Sequence, residues 1–279
     1  RRHGRQRRTV HLRHRVGAVC VTLVWLDDVR LNAEISGPAD APSLVLIHGL
    51  GLDLRVWDAL MPHLAQHRVL RLDLRGHGAS DTPAPPYAMG TLIRDVERLM
   101  SHFALQDAVV VGGGEGGLIA QGLAVKRLDL VRAMVLTGSA TRFANPSVWQ
   151  TRLARLKADG PDLDAECALL LGPRWKTAPH ISLVQEMLAR TRPDGWQGFA
   201  AATATADFYQ TTATLHLPTL VLAGADDRKV PPDLQRELAD LVAGSQYQLL
   251  RGGPHLSMLN SSELFATALL GFLTRIGHR

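Results

Sequence analysis

Apolar residues follow two rhythms along most of this chain. Short runs rich in Val, Ile and Leu alternate with longer stretches whose apolar positions recur every three or four residues. Runs of the first kind predict strands buried on both faces, and those of the second predict amphipathic helices that cover them. VTLVW (21–25) and VRLNAEIS (29–36), flanking Leu26-Asp27-Asp28, predict an opening hairpin. SLVLIHG (43–49), VLRLDL (69–74), DAVVVG (107–112) and AMVLTG (133–138) predict the next strands. Helices are expected between them at RVWDALMPHLAQ (55–66), TLIRDVERLMSHF (91–103) and LIAQGLAVKRL (118–128). After residue 216 the alternation resumes, with strands at PTLVLAG (218–224) and SQYQLLRG (245–252) and helices at DLQRELADLV (233–242) and ELFATALLGFLTRI (263–276). Strand–helix alternation with short connections implies an α/β fold, a mostly parallel sheet covered on both sides.

The alternation breaks between about Ser139 and His216. VWQTRLARLKADG (148–160), AECALLLG (165–172) and ISLVQEMLAR (181–190) predict successive helices with no strand among them. Seven of the fourteen aromatic residues fall here: Phe143, Trp149, Trp175, Trp196, Phe199, Phe208 and Tyr209. A helical insertion must bury its apolar faces on its parent domain, and a lid over a pocket does so. Most of these rings are expected to serve the lid's own packing. The expected organisation is an extension at 1–20, a core formed by 21–138 and 217–279, and a lid at 139–216.

Charge changes the picture only at the N-terminus. The formal net charge is +5, but Arg1, Arg2, Arg5, Arg7, Arg8, Arg13 and Arg15 lie in an opening twenty residues that contain no acid. Removing those seven leaves −2 for the rest, so the basic balance does not describe the body of the protein and implies no nucleic-acid partner. The opening has the composition of a nucleic-acid arm, a targeting signal or an unselected extension. Arg7–Arg8 is a twin arginine, and VGAVCVTLVWL resembles a short signal core. No small-residue cleavage site follows it, so a disordered extension is expected. No run of eighteen apolar residues exists, so no membrane span is expected. Cys20, placed before the domain, and Cys167, placed in a lid helix, make neither a disulfide framework nor a metal cluster, and a reducing cytoplasm is the expected compartment.

The candidate chemistry sits in VVVGGGEGGLIAQ (109–121), where a strand runs through glycines into a helix. Gly112, Gly114 and Gly117 satisfy the dinucleotide pattern G-x-G-x-x-G. A dinucleotide site also needs an acid at the end of the following strand, where Thr137, Gly138 and Ser139 stand instead. The alternative is a sharp elbow that lifts a nucleophile above a sheet. Around it, IHGLGLD (47–53), DLRGHGAS (73–80), LVLAGADDRKVPP (220–232) and GGPHLSML (252–259) appear in order. With these five motifs the chain from about residue 21 onward resembles the α/β-hydrolase superfamily, in the style of its lid-bearing esterases, enol-lactonases and C–C hydrolases. The resemblance implies an α/β-hydrolase fold, an oxyanion hole at the N–H groups of Leu50 and Glu115, His255 as general base, and Asp227 rather than Asp226 as its acid. Asp73, Arg75 and His77 become a loop brace, and His48 fixes its turn. No metal or cofactor is implied.

Aligned on the superfamily pattern G-x-Ser-x-G, the elbow reads Gly112-Gly113-Gly114-Glu115-Gly116, and the nucleophile position is Gly114. Three explanations follow. The chain is an inactivated serine hydrolase; or His255, oriented by Asp227, activates water or a substrate carbon; or the pocket binds a small molecule without turning it over. The expected function is hydrolysis of a carboxylic ester or lactone on a small or medium apolar carbonyl substrate. The alternative is a lyase, decarboxylase or cyclase that uses His255–Asp227 as an acid–base pair. Glu115 caps the helix N-terminus in the plainer expectation; desolvated in the pocket, it would have a raised pKa and serve as an acid. Nothing along the chain bears on oligomeric state.

Overall fold

The computed structural model describes residues 20–143 and 145–279. The arginine-rich opening and its twin arginine lie outside the described residues. An eight-stranded sheet forms the centre, built from β1 (Cys20–Leu26), β2 (Val29–Ser36), β3 (Ser43–Ile47), β4 (Arg68–Leu72), β5 (Ala108–Gly113), β6 (Val131–Thr137), β7 (Thr219–Gly224) and β8 (Gln246–Leu250). Its order is β1-β2-β4-β3-β5-β6-β7-β8. β2 runs antiparallel to both β1 and β4, and every other neighbouring pair is parallel. The expected hairpin is the antiparallel edge. Cys20 opens β1 and so belongs to the sheet, a correction to its placement before the domain.

Burial explains the apolar runs. Leu44–Ile47, Val109–Val111, Met134–Leu136 and Leu220–Leu222 lie wholly out of solvent because helices cover the sheet on both faces. Those helices are α1 (Met89–His102), α2 (Gly116–Lys126), α8 (Pro232–Leu241) and α10 (Ser262–Arg275), with a short α9 (Ser257–Asn260) before the last. The segment expected as a helix at 55–66 is a 3₁₀-helix over Leu54–Leu64, started by the Asp53 side chain accepting from the Arg55 N–H. Pro62 lies within it, and its missing N–H and bulky ring disfavour α geometry there.

Between β6 and β7 lie α3 (Pro146–Ala158), α4 (Leu163–Leu171), α5 (Ile181–Arg190), α6 (Pro193–Ala204) and α7 (Tyr209–Thr212), with a 3₁₀ turn at Trp175–Thr177. α6 has no clear helical apolar period in the sequence because glycine and alanine form much of its buried face. Its Gly195 packs so tightly on Gly76 that any Cβ there would collide with the Gly76 carbonyl. The insertion's rings reach beyond their own packing. Trp196 lies where a side chain on Gly51 would be, and Phe199 meets His77 edge-on at 5.1 Å. Leu256 N–H donates to the Leu170 carbonyl at 3.1 Å, and the Thr191 hydroxyl donates to that of Gly51 at 3.3 Å. Helices α4, α5 and α6 therefore rest on the two loops that carry His48–Leu52 and Pro254–Leu256.

Candidate active site

β5 ends at Gly113 and α2 begins at Gly116, leaving two residues to reverse the chain. Gly114 takes φ +57°, a left-handed conformation that glycine adopts without penalty. Its N–H donates to the Thr137 carbonyl at 2.9 Å, and its own carbonyl accepts from Gly117 at 3.0 Å. A Cβ on Gly112 would come within 2.6 Å of Gly117 Cα, and one on Gly116 would strike the Ile47 carbonyl. Both flanking glycines are therefore required by close approach.

Opposite the elbow stands His255. Its Nδ1 lies 2.9 Å and 3.1 Å from the two Asp227 carboxylate oxygens, so Nδ1–H faces the carboxylate and the Nε2 lone pair faces outward. Asp227 also accepts from the N–H groups of Lys229 and Val230, each at 2.9 Å, and from Gln235 Nε2 at 3.1 Å. Gln235 Oε1 accepts from the Gly138 N–H at 2.8 Å, which ties the acid to the end of β6. Gln235 was not anticipated. Its signal was a polar residue on the apolar face of α8, in line with buried Leu238 and Ala239. A Cβ built on Gly114 would lie 3.2 Å from His255 Nε2, so the imidazole faces the point from which a side chain at position 114 would project. The cavity between them, lined by Gly113, Gly114, His255, Trp57, Leu256 and Met258, offers about 10 Å³, the room of roughly one water.

Glu115 and Lys229 overturn two expectations. Glu115 is wholly buried, but its side chain makes no capping bond to α2. Lys229 Nζ instead sits 2.9 Å and 3.0 Å from its two carboxylate oxygens. Burial alone would push the Glu115 pKa up. The Lys229 charge and hydrogen bond, with smaller help from Glu115's own N–H and from His255, outweigh it and bring the pKa down to about 2. Glu115 is thus an ionised group and not an acid, because desolvation is overcome by a buried ammonium. That ammonium reaches across from the turn after β7, and no local pattern in the sequence signals it.

The same carboxylate bears on the expected oxyanion hole. Leu50 N–H donates to Glu115 Oε2 at 3.1 Å. A Cβ on Gly49 would lie 2.9 Å from that oxygen, so the loop and the carboxylate are in direct contact. The Leu50 N–H, expected to be open to a substrate oxygen, is engaged by an anion of the chain itself.

The remaining motif residues hold this geometry. His48 Nε2 accepts from Leu74 N–H at 3.0 Å, and its Nδ1 meets the Gly49 carbonyl at 2.8 Å. His77 Nε2 accepts from Gly51 N–H at 3.0 Å. Burial, with repulsion from His48, lowers the His77 pKa to about 3, so it is a neutral acceptor. Asp73 accepts from Leu54 N–H and Ala79 N–H, each at 2.8 Å. Arg75 Nη2 and Nε donate to the buried carboxylate of Asp95 at 2.8 Å and 2.6 Å. Cys167 lies buried in α4, where desolvation raises its thiol pKa to about 11, too high for a ready nucleophile. Among the described residues no group of three or more His, Cys, Asp or Glu could hold a metal, and no helix is long and apolar enough to cross a membrane.

Comparison with known proteins fits this architecture. A family model described as "alpha/beta hydrolase fold" matches residues 42–190. A 3-oxoadipate enol-lactonase of Acinetobacter baylyi is 28% identical over 89% of this chain and 94% of its own. A pimeloyl–(acyl-carrier protein) methyl ester esterase of Klebsiella pneumoniae is 30% identical over 84% of this chain and 94% of its own. The crystal structure of an enol-lactonase from Burkholderia xenovorans superposes with a TM-score of 0.86 at 29% identity, covering 90% of this chain and 99% of that one.

Proposed function

Since the chain belongs to the α/β-hydrolase fold family, we propose that it hydrolyses a carboxylic ester or lactone with water in the place of a side-chain nucleophile. The observation that carries this reading is the approach of His255 Nε2 to the empty side-chain position of Gly114, at 3.2 Å from where a Cβ would be. The adjoining cavity has room for about one water within reach of that lone pair. His255 takes its proton, the resulting hydroxide adds to the carbonyl carbon, and the imidazolium returns the proton to the departing alkoxide as the acyl–oxygen bond breaks. Asp227, braced by Gln235, holds the imidazole and balances its charge while it is protonated. No covalent acyl-enzyme forms. The esters and lactones named for the enol-lactonase and esterase relatives support this substrate class.

Elimination, decarboxylation or ring closure by the same His255–Asp227 pair would build negative charge on an enolate oxygen. It meets the same ionised Glu115 and has no compensating feature in its favour. The engaged Leu50 N–H does favour a second reading, a pocket that binds a small carbonyl compound without turning it over. Turnover of a panel of chromogenic esters and lactones by the native chain and by His255→Ala separates the two. The hydrolase reading expects turnover that His255→Ala abolishes. Equal rates in both chains would sink it, and ligand affinity that survives the substitution without any turnover would favour the binder.

A further inference from the structure

The Glu115–Lys229 pair is unaccounted for by base, acid or brace. Its carboxylate accepts from Leu50 N–H at 3.1 Å, one of the two donors that a carbonyl oxygen gaining charge would need. Lys229, with its side chain 7% exposed, holds that carboxylate by both oxygens. The arrangement sets an anionic oxygen of the chain itself on that N–H. From this contact geometry we infer that Glu115 is the residue that limits carbonyl chemistry at this site. Its carboxylate must leave the Leu50 N–H before a substrate oxygen can enter. The inference rests on the reading above only in taking addition to a carbonyl as the reaction class.

A carboxylate placed to receive a proton from substrate would need a free lone pair on the cavity, but Glu115 does not line the space between Gly114 and His255. A purely structural ion pair would be as well served elsewhere on these loops; here its carboxylate takes the N–H of the Gly49–Leu50 turn that faces the elbow. Acid does not relieve the contact either, because the carboxylate stays ionised down to about pH 2.

The test compares Glu115→Met, Lys229→Met and the two combined, in the native chain and in the Gly114→Ser background. Steady-state turnover of p-nitrophenyl butyrate is measured, and labelling by a fluorophosphonate in the Gly114→Ser background. Freeing the Leu50 N–H is expected to raise kcat at least about 100-fold, the scale of a single oxyanion donor. Glu115→Met and the combined variant should both show this gain. Lys229→Met should show none, because it leaves the carboxylate on that N–H. A merely structural pair would give Glu115→Met and Lys229→Met the same effect. Equal rates for all four chains within a background, high or nil, would overturn the inference, as would an equal gain from Lys229→Met. Thermal melts identify any variant that fails to fold, and the combined variant leaves neither charge buried alone. Serine supplies its own nucleophile, so a gain in the Gly114→Ser background stands even if the native chain proves inert toward esters, which would count against His255-activated water alone.

Discussion

Gly138 shows how much of this site depends on a residue with no side chain. It follows β6 with φ +55°, and a Cβ there would lie 2.6 Å from His255 Cε1 and 2.7 Å from its Nδ1. Its N–H simultaneously anchors Gln235, which holds Asp227. Gly138→Ala therefore strains the backbone and pushes the imidazole off its carboxylate. The expected cost is about 1–3 kcal/mol of stability, together with a loss of most His255-dependent turnover. Urea unfolding and ester kinetics check the two effects separately; unchanged kinetics would show that the ring tolerates the displacement. At this scale the sequence was only partly legible. The elbow, His255 and Asp227 stood in recognisable motifs. Lys229 follows Asp226, Asp227 and Arg228, the composition of a solvated charged turn, and its partner lies 114 residues away. Nothing local distinguishes a lysine that will be buried against a distant glutamate from one that faces water.

Among the elements, α6 is the least predictable and the most constraining. Propensity argues against a helix containing Gly195 and Gly198, since each glycine costs about 1 kcal/mol relative to alanine. Tertiary contact reverses the preference: Gly195 abuts the Gly76 backbone, and Gly198 leaves room for the Tyr87 ring. The strands were legible because apolar runs buried on both faces need no partner-specific shape. The α6 interface was not, because it consists of missing atoms. Gly195→Ala should improve the isolated helix yet destabilise the protein by about 1–3 kcal/mol through overpacking. Chemical denaturation checks the sign, and a stabilised variant would mean that α6 can shift away from the 73–80 loop without loss.

At the scale of the whole molecule, buried ionisable groups set a pH limit. His77 has its pKa lowered to about 3 from an ordinary 6.5, so below 6.5 the unfolded chain binds a proton there that the native chain refuses. Stability must then fall as pH drops from 6.5 toward 3, by up to about 1.4 kcal/mol per pH unit from this one group. Glu115, lowered to about 2 from 4.5, contributes stability that is complete above 4.5 and is lost as pH falls toward 2. The two effects share a sign, so the fold is expected to weaken steadily below pH 6.5. His77→Gln can still accept from Gly51 and donate to the Arg75 carbonyl, and should flatten the dependence between pH 6.5 and 4.5. Urea midpoints at pH 7, 5.5 and 4.5 test this; parallel slopes in both chains would remove His77 as a source.

The Glu115–Lys229 pair also bears on how such a site can change over generations. Losing either partner strands the other as an uncompensated buried charge, which costs about 3–5 kcal/mol, a large share of the roughly 5–15 kcal/mol that holds a typical domain together. Neither position can drift alone without endangering the fold. A lineage that acquires both charges is held by them as by a ratchet, and a nucleophile introduced at position 114 would still meet a closed door until Glu115 changed, a step the fold bears best when Lys229 changes with it.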